Sequence, residues 1–203
     1  MEDVQHEEDI TSETGVYAPV LELPEQYAVF DLSTGSLDEG LHGEVWGVGK
    51  YDEKRLDVYK PFYHGDRDIH MGVDLLGPIG TEVHAFADGE ILFFDYNAEP
   101  GDYGATVICK HQLIDGSEIF ALYGHLSKAS LEHKAIGQKV HAGDVIAWVG
   151  DRPENGGWAP HTHFQLAREA PPSCDMPGVV SDRQLEEALK IYPDPRMVLG
   201  PIF

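Results

Sequence analysis

From Ile69 onward the chain is written in short β-branched and aromatic runs, each cut off by a turn signal. EVHAFA is followed by Asp88-Gly89 and EILFFDY, and ATVICKH by Asp115-Gly116 and SEIFALYGHL. Gly143-Asp144, VIAWVG and HTHFQLA complete the series. This rhythm predicts an all-β, β-rich fold built on antiparallel sheet, with tight hairpins at the Asp-Gly pairs, which tolerate positive φ. One minor helix is predicted near the C-terminus, over about 182–191. Ser181 is its N-cap, Gln184 follows three residues later, and Leu185, Ala188 and Leu189 share a face. It must stop before Tyr192–Pro195, because proline lacks the amide donor and restricts its predecessor. No tandem repeat of solenoid period is visible.

The chain has 203 residues, enough for one domain with an extension: an acidic, solvated tail over 1–14 and a single domain over 15–203, with its core at about 60–170. Residues 16–49 hold apolar pieces broken by Pro and Gly, read as strands or an arm packed on the domain. Acidic residues outnumber Lys plus Arg by 36 to 14, a net charge of −22 that is front-loaded, since carboxylates accumulate from Glu2 to Glu44 before the first basic residue, Lys50. Such a balance argues against nucleic-acid binding, which needs a basic footprint, and against docking on anionic lipid. No apolar stretch is long enough for a transmembrane helix, and MEDVQHEEDI is acidic where a secretory leader needs a basic start. The expectation is a soluble, cytoplasmic protein with neither membrane nor nucleic acid as partner. Cys109 and Cys174 are too far apart in sequence for a CxxC zinc knuckle. Cys109 reads as a small buried hydrophobe, and Cys174 is assigned no chemistry.

The 11 histidines carry the chemistry. Three clusters stand out: IHMGVDL (69–75), YGHLS (123–127) and APHTHF (159–164). His161 and His163 lie two apart in a strand-like run, so both imidazoles project from one face. His70 and Asp74 do the same if their segment is extended, with Gly72 between them leaving room for a close approach. One imidazole, one carboxylate and one imidazole from the HTH pair make three Zn²⁺ ligands and leave a fourth position for water, the catalytic arrangement. Spacing alone does not say which HTH imidazole is the ligand. His125, on the apolar face that carries Ile119, Ala121 and Tyr123, looks like core running out into a cleft. Arg67, three residues before His70, fits either a partner for a substrate carboxylate or a salt bridge on the acidic surface, and the second is expected. Tyr63 and Tyr123 fit either oxyanion donors or core aromatics.

HMGVD, YGHLS and PHTHF, in that order, resemble the HxxxD…GHL…HxH signature of the M23 (LytM/lysostaphin-type) zinc metallopeptidases. GTEVHAFADGEI and GQKVHAGDVIAWVG are similar to that family's β-core, and coverage runs from about 60 to 170. DYGATVI, NGGWAPHTHFQ and CDMPGV…PDP further resemble intracellular M23-like domains that stand between a phosphotransferase and a class-III aminotransferase. The resemblance implies that His70, Asp74 and His163 bind Zn²⁺, and that His125 and His161 are non-ligand catalytic histidines. It implies hydrolysis of a peptide or amide bond by metal-activated water, with peptidoglycan-type cross-bridges as the family substrate class. HExxH is absent, so histidines take the place of the usual glutamate base.

Three rivals are weaker. A non-catalytic M23-like binding module would have lost some of the five motif positions, all of which are present. The same two β segments resemble the halves of a lipoyl-type barrel, which predicts a lipoyl-barrel-like core, but a carrier needs Lys at the tip and the turn is Asp88-Gly89. A zinc D,D-carboxypeptidase needs a longer gap than His70 to Asp74 and a Glu upstream of the last His, where residues 159–162 are Ala, Pro, His and Thr.

Overall fold

The structure, a computed structural model, describes residues 17–34 and 45–203; the tail expected over 1–14 lies outside the described residues. The first strands are β1 (Ala28–Phe30), β2 (Gly47–Gly49), β3 (Glu53–Lys54), β4 (Ile69–His70), β5 (Val73–Leu76) and β6 (Glu82–His84). Then come β7 (Gly89–Asn97), β8 (Gly104–Gln112), β9 (Glu118–Leu126), β10 (Lys139–Val140), β11 (Val145–Trp148), β12 (His161–Ala167) and β13 (Val179–Val180). Helices are α1 (Leu56–Tyr63), α2 (Leu185–Ile191) and α3 (Arg196–Leu199). Eight strands form one sheet in the order β1-β2-β5-β12-β9-β8-β7-β10. Pairing is antiparallel except for β1 with β2. A two-stranded sheet (β11-β6) and a three-stranded one (β13-β4-β3) complete the β-rich fold.

Strand alternation separates two faces. Ile119, Ala121 and Tyr123 of β9, Val107 and Cys109 of β8, and Phe164 and Leu166 of β12 enter the main core with Phe86, Val83 and Ile146. Ile108, Phe120 and Leu122 point the other way and pack with Tyr103 and Met176. His161, His163 and Gln165 alternate with the core-facing Phe164 and Leu166, so β12 puts them on this second face.

Three features differ from the sequence reading. EVHAFA does not form a hairpin with EILFFDY, because β6 pairs with β11 while β7 enters the large sheet. Gly89 is needed for close approach rather than for a turn: its Cβ would lie 2.9 Å from the His111 ring. Gly143-Asp144 does turn the chain, with Gly143 at φ 85, but it links strands of different sheets. Only Asp115-Gly116, with Gly116 at φ 84, closes a hairpin, between β8 and β9.

Helix α1 adds an element the sequence reading lacked. It carries Pro61 inside and has no side-chain N-cap, so it bears a break signal and no start signal. Burial holds it, through Val58 and Tyr59 packed beside Leu76 and Val179. The C-terminal helix forms and stops before Tyr192 as expected, but it begins at Leu185 with Gln184 and not Ser181 as N-cap. Gln184 Oε1 accepts from the Ser181 amide at 3.1 Å, and the Ser181 hydroxyl donates to the same oxygen instead of capping the helix. Cys109 and Cys174 are buried, and burial pushes both thiols up to about 12, so neither ionises near neutrality.

Candidate metal centre

Strands β4, β5 and β12 deliver one side chain each to a single point. β12 is paired to β5 in the register His163 opposite Asp74, while a bend at Gly72 carries the chain from β4 to β5 and turns His70 inward. A Cβ at Gly72 would lie 2.5 Å from the His163 ring, so the absent side chain is what admits that imidazole. His70 Nε2 and His163 Nδ1 stand 2.9 Å apart, and each is 3.2 Å from Asp74 Oδ1. All three residues are buried.

The opposite atom of each group is already committed. His70 Nδ1–H donates to the Lys50 carbonyl at 2.9 Å, and His163 Nε2–H to Gln165 Oε1 at 3.0 Å. Gln165 is held in that orientation by its amide, which donates to the Pro177 carbonyl at 3.3 Å. Asp74 Oδ2 accepts from Arg55 Nη1 at 2.6 Å. Two nitrogen lone pairs and a carboxylate oxygen therefore face one another, an arrangement that repels itself until a cation sits among them. Donors about 2.0–2.2 Å from one ion at tetrahedral angles lie about 3.3–3.6 Å apart, so an outward adjustment of a few tenths of an ångström fits Zn²⁺ to this set. The donor chemistry, two nitrogens and one oxygen, is that of catalytic zinc sites.

His125 and His161 stand beside the cluster, their rings 4.3 Å apart. His161 Nε2 is 3.5 Å from Asp74 Oδ1. Both are held the same way: His161 Nδ1–H donates to the Ala159 carbonyl at 2.7 Å, and His125 Nδ1–H to the Asn155 carbonyl at 2.8 Å. Each therefore presents an unprotonated Nε2.

His125 reaches the site through a β-bulge. In the β8–β9 ladder Tyr123 opposes Val107 and Leu126 opposes Ala105, so Gly124 and His125 together oppose Thr106. His125 adopts φ 59, and the extra residue resets the alternation. Leu126 joins Tyr123 in the main core, and His125 turns to the cleft. The regular strand assumed from sequence, with His125 sharing the face of Tyr123, is corrected by this bulge.

Electrostatics favour neutral imidazoles and an ionised carboxylate. Burial, then the Arg55 charge, pushes His70 down to about 4. Burial holds His125 well below the imidazole range, reinforced by His161 and His163. Burial also lowers His161, against the pull of Asp74. At Asp74 burial acts to raise the carboxyl, but His70, Arg55 and His161 outweigh it and keep it well below the usual carboxylate range.

The cluster opens into a cleft of about 520 Å³ walled by Tyr59, Phe62, Tyr63 and Trp158, with Asp102 and Asp175 also lining it. Tyr123 is a core aromatic: it is fully buried, and its hydroxyl meets His111 at 2.9 Å. Tyr63 lines the cleft with the Arg67 guanidinium over its ring at 4.1 Å, so Arg67 is a cleft residue and not merely a surface charge. Sequence reading missed Arg55, Glu53, Gln165 and Tyr103. Tyr103 packs 5.5 Å from the His125 ring and 5.2 Å from that of His163, and its hydroxyl donates to the Met176 carbonyl. Gln165 could have been found, since it continues the i, i+2 series of His161 and His163.

Three buried donors that could hold one cation, with two imidazoles alongside whose Nε2 atoms are uncommitted, make up a candidate metal centre of the kind found in metallohydrolases. The family described as Peptidase family M23 matches residues 68–173, more than half of the chain, and the chain belongs to that family of zinc metallo-endopeptidases. DD-carboxypeptidase/endopeptidase Mpg of Neisseria meningitidis serogroup B is 36% identical over 130 residues, covering 64% of this chain and 27% of Mpg. Murein hydrolase activator EnvC of Escherichia coli is 33% identical over 90 residues, covering 44% of this chain and 19% of EnvC. Among solved structures, the catalytic domain of lysostaphin from Staphylococcus simulans aligns with a TM-score of 0.47 at 25% identity, over 70% of this chain and 92% of that one. The match spans about a quarter or less of the curated relatives' own length.

Proposed function

We propose that this chain hydrolyses a peptide or amide bond with one Zn²⁺ held by His70 Nε2, Asp74 Oδ1 and His163 Nδ1. The observation that carries this is the convergence of those atoms within 3.2 Å of one another, each with its opposite atom tied back by a hydrogen bond. Zinc in such a site supplies Lewis acidity and an activated water near neutral pH. The protein's own groups supply the rest. His161 Nε2, 3.5 Å from Asp74 Oδ1, takes the proton of the nucleophile, and its Nδ1–H stays on the Ala159 carbonyl, which leaves Nε2 as the basic nitrogen. The proton that His161 takes passes to the leaving amine, directly or by way of His125 Nε2, whose ring lies tilted 4.3 Å from that of His161; while it carries that proton His125 donates to the developing oxyanion. Burial keeps both imidazoles neutral at pH 7, so they begin the cycle as bases.

The substrate class follows from the relatives: Mpg is named for DD-carboxypeptidase and endopeptidase activity, which points to peptide cross-links of the peptidoglycan type. The name of EnvC, an activator, favours a second reading as a non-catalytic regulatory module. The full set of ligand and base positions, assembled with the right tautomers, favours catalysis. We place the activity inside the cell, on the resemblance of DYGATVI, NGGWAPHTHFQ and CDMPGV…PDP to the intracellular subgroup; recovery of the native protein outside the cytoplasm on fractionation would overturn that placement. The central test is zinc content after dialysis, read beside hydrolysis of Gly-Gly, D-Ala and γ-linked peptides. Zinc near one per chain with cleavage of one class is expected, and a folded protein that refuses zinc would sink the proposal.

A further inference from the structure

We infer that Arg55 is the positioning residue of the metal centre, one buried guanidinium that sets the geometry of two of the three ligands and restricts Asp74 to a single ligating oxygen. The inference rests on the zinc-site reading above.

Arg55 is only 1% exposed and sits at the junction of β3 and α1, where it lines the inner end of the cleft beside Asp74 and His70. Each nitrogen of its fork donates. Nη1 donates to Asp74 Oδ2 at 2.6 Å, Nε to Glu53 Oε2 at 2.8 Å and Nη2 to the Lys50 carbonyl at 2.9 Å. That carbonyl also receives the His70 Nδ1–H. One rigid plane therefore touches Asp74 directly and His70 through a shared acceptor. Its own seat is firm, since the Arg55 amide donates to the Asp68 carbonyl at 2.6 Å and Glu53 Oε1 accepts from the Leu32 amide at 3.1 Å. Gly49 makes room for the arrangement: a Cβ there would lie 2.9 Å from Arg55 Nη2 and 3.0 Å from Asp74 Oδ2.

Two consequences follow for metal chemistry. With Oδ2 held by a charge-assisted bond, Asp74 cannot swing to chelate through both oxygens, so positions stay open for water and substrate. A cation next to a metal ligand would ordinarily weaken binding of a divalent ion. Glu53 offsets the Arg55 charge at 2.8 Å, leaving the Asp74 charge for the metal. A lysine at this position is a single point charge and cannot make the three bonds at once.

The test uses the whole chain and the variants Arg55→Lys and Glu53→Gln. Zinc affinity is measured by chelator competition, Co²⁺ visible absorption reports coordination number, and kcat and KM are measured separately. Melting of the metal-free proteins establishes folding. Arg55→Lys is expected to bind zinc about 10–100-fold more weakly, the usual size of an outer-shell effect. Its Co²⁺ bands should weaken as Asp74 gains a second contact, and kcat should fall while KM holds. Glu53→Gln, which keeps Arg55 in place, should weaken zinc binding without changing the Co²⁺ bands. If Arg55→Lys proves unfolded, Glu53→Gln decides: unchanged zinc affinity defeats the inference. A folded Arg55→Lys with wild-type affinity and spectrum defeats it directly. Failure of the wild type to bind zinc is a different result, and overturns the metallopeptidase reading itself.

Discussion

At the level of single residues, the two histidines of the HTH pair do different work although they share a face. His163→Ala removes a donor atom and is expected to abolish both zinc binding and hydrolysis. His161→Ala leaves the three donors in place; zinc content should stay near one per chain while kcat falls about 10²–10⁴-fold, the usual contribution of a general base. Metal analysis beside kinetics separates them, and the reverse pattern would show the roles exchanged. Spacing could not choose between these residues because β alternation gives both the same direction. What separates them is contact: His163 passes over Gly72 to meet His70, whereas His161 stops 3.5 Å from Asp74. Gly72→Ala is therefore expected to weaken zinc binding by displacing the His163 ring, and also to lower the melting temperature, since the added Cβ would lie 2.9 Å from the Phe164 carbonyl oxygen; chelator competition and a thermal melt read the two effects. Arg55 was invisible for another reason: an arginine is ordinarily a surface residue, and nothing local to KRLDV announces that it is buried against a carboxylate nineteen positions away.

Among the elements, runs rich in β-branched and aromatic residues became strands almost everywhere they were expected, because alternation records which side chains must leave water. Pairing was less legible. EVHAFA and EILFFDY are consecutive strands, yet they belong to different sheets, and the Asp88-Gly89 signal matched a need for backbone proximity instead of a turn. The bulge at Gly124–His125 is signalled only by the glycine: an isolated Gly inside a strand run often marks a bulge, but it does not say which neighbour turns to the other face. Gly116, at the one Asp-Gly hairpin, has open space around its missing Cβ and φ 84. Gly116→Ala should therefore cost about 1–2 kcal/mol from the left-handed backbone alone. Urea denaturation reads this directly, and hydrolysis per folded molecule should be unchanged.

For the molecule as a whole, acid is the informative stress. His111 lies inside the main core, outside the metal centre, with Nδ1–H donated to the Ala87 carbonyl at 2.8 Å, and burial pushes it down to about 4. In the unfolded chain it titrates near 6.5. Between those values the unfolded state binds more protons, so stability rises with pH; this contribution is complete above about 6.5 and declines as pH falls toward 4. At pH 5 the loss is about 2 kcal/mol relative to pH 7. Comparing urea midpoints of wild type and His111→Gln at both pH values checks it: the variant should lose less on acidification. The net charge of −22 also diminishes in acid as carboxylates protonate, which works in the opposite direction and is common to both proteins.

The Lys50 carbonyl is where His70 and Arg55 meet, and it belongs to the main chain. Any amino acid at position 50 supplies that same oxygen, so evolution is free to exchange the side chain there while the peptide group itself stays indispensable. Truncating the Lys50 side chain removes its ion pair with Glu53 at 3.7 Å but leaves this acceptor in place, so a side-chain scan does not report on it. Only replacing the amide linkage, for instance by an ester between residues 50 and 51, would weaken the acceptor and reveal its part in holding the centre together.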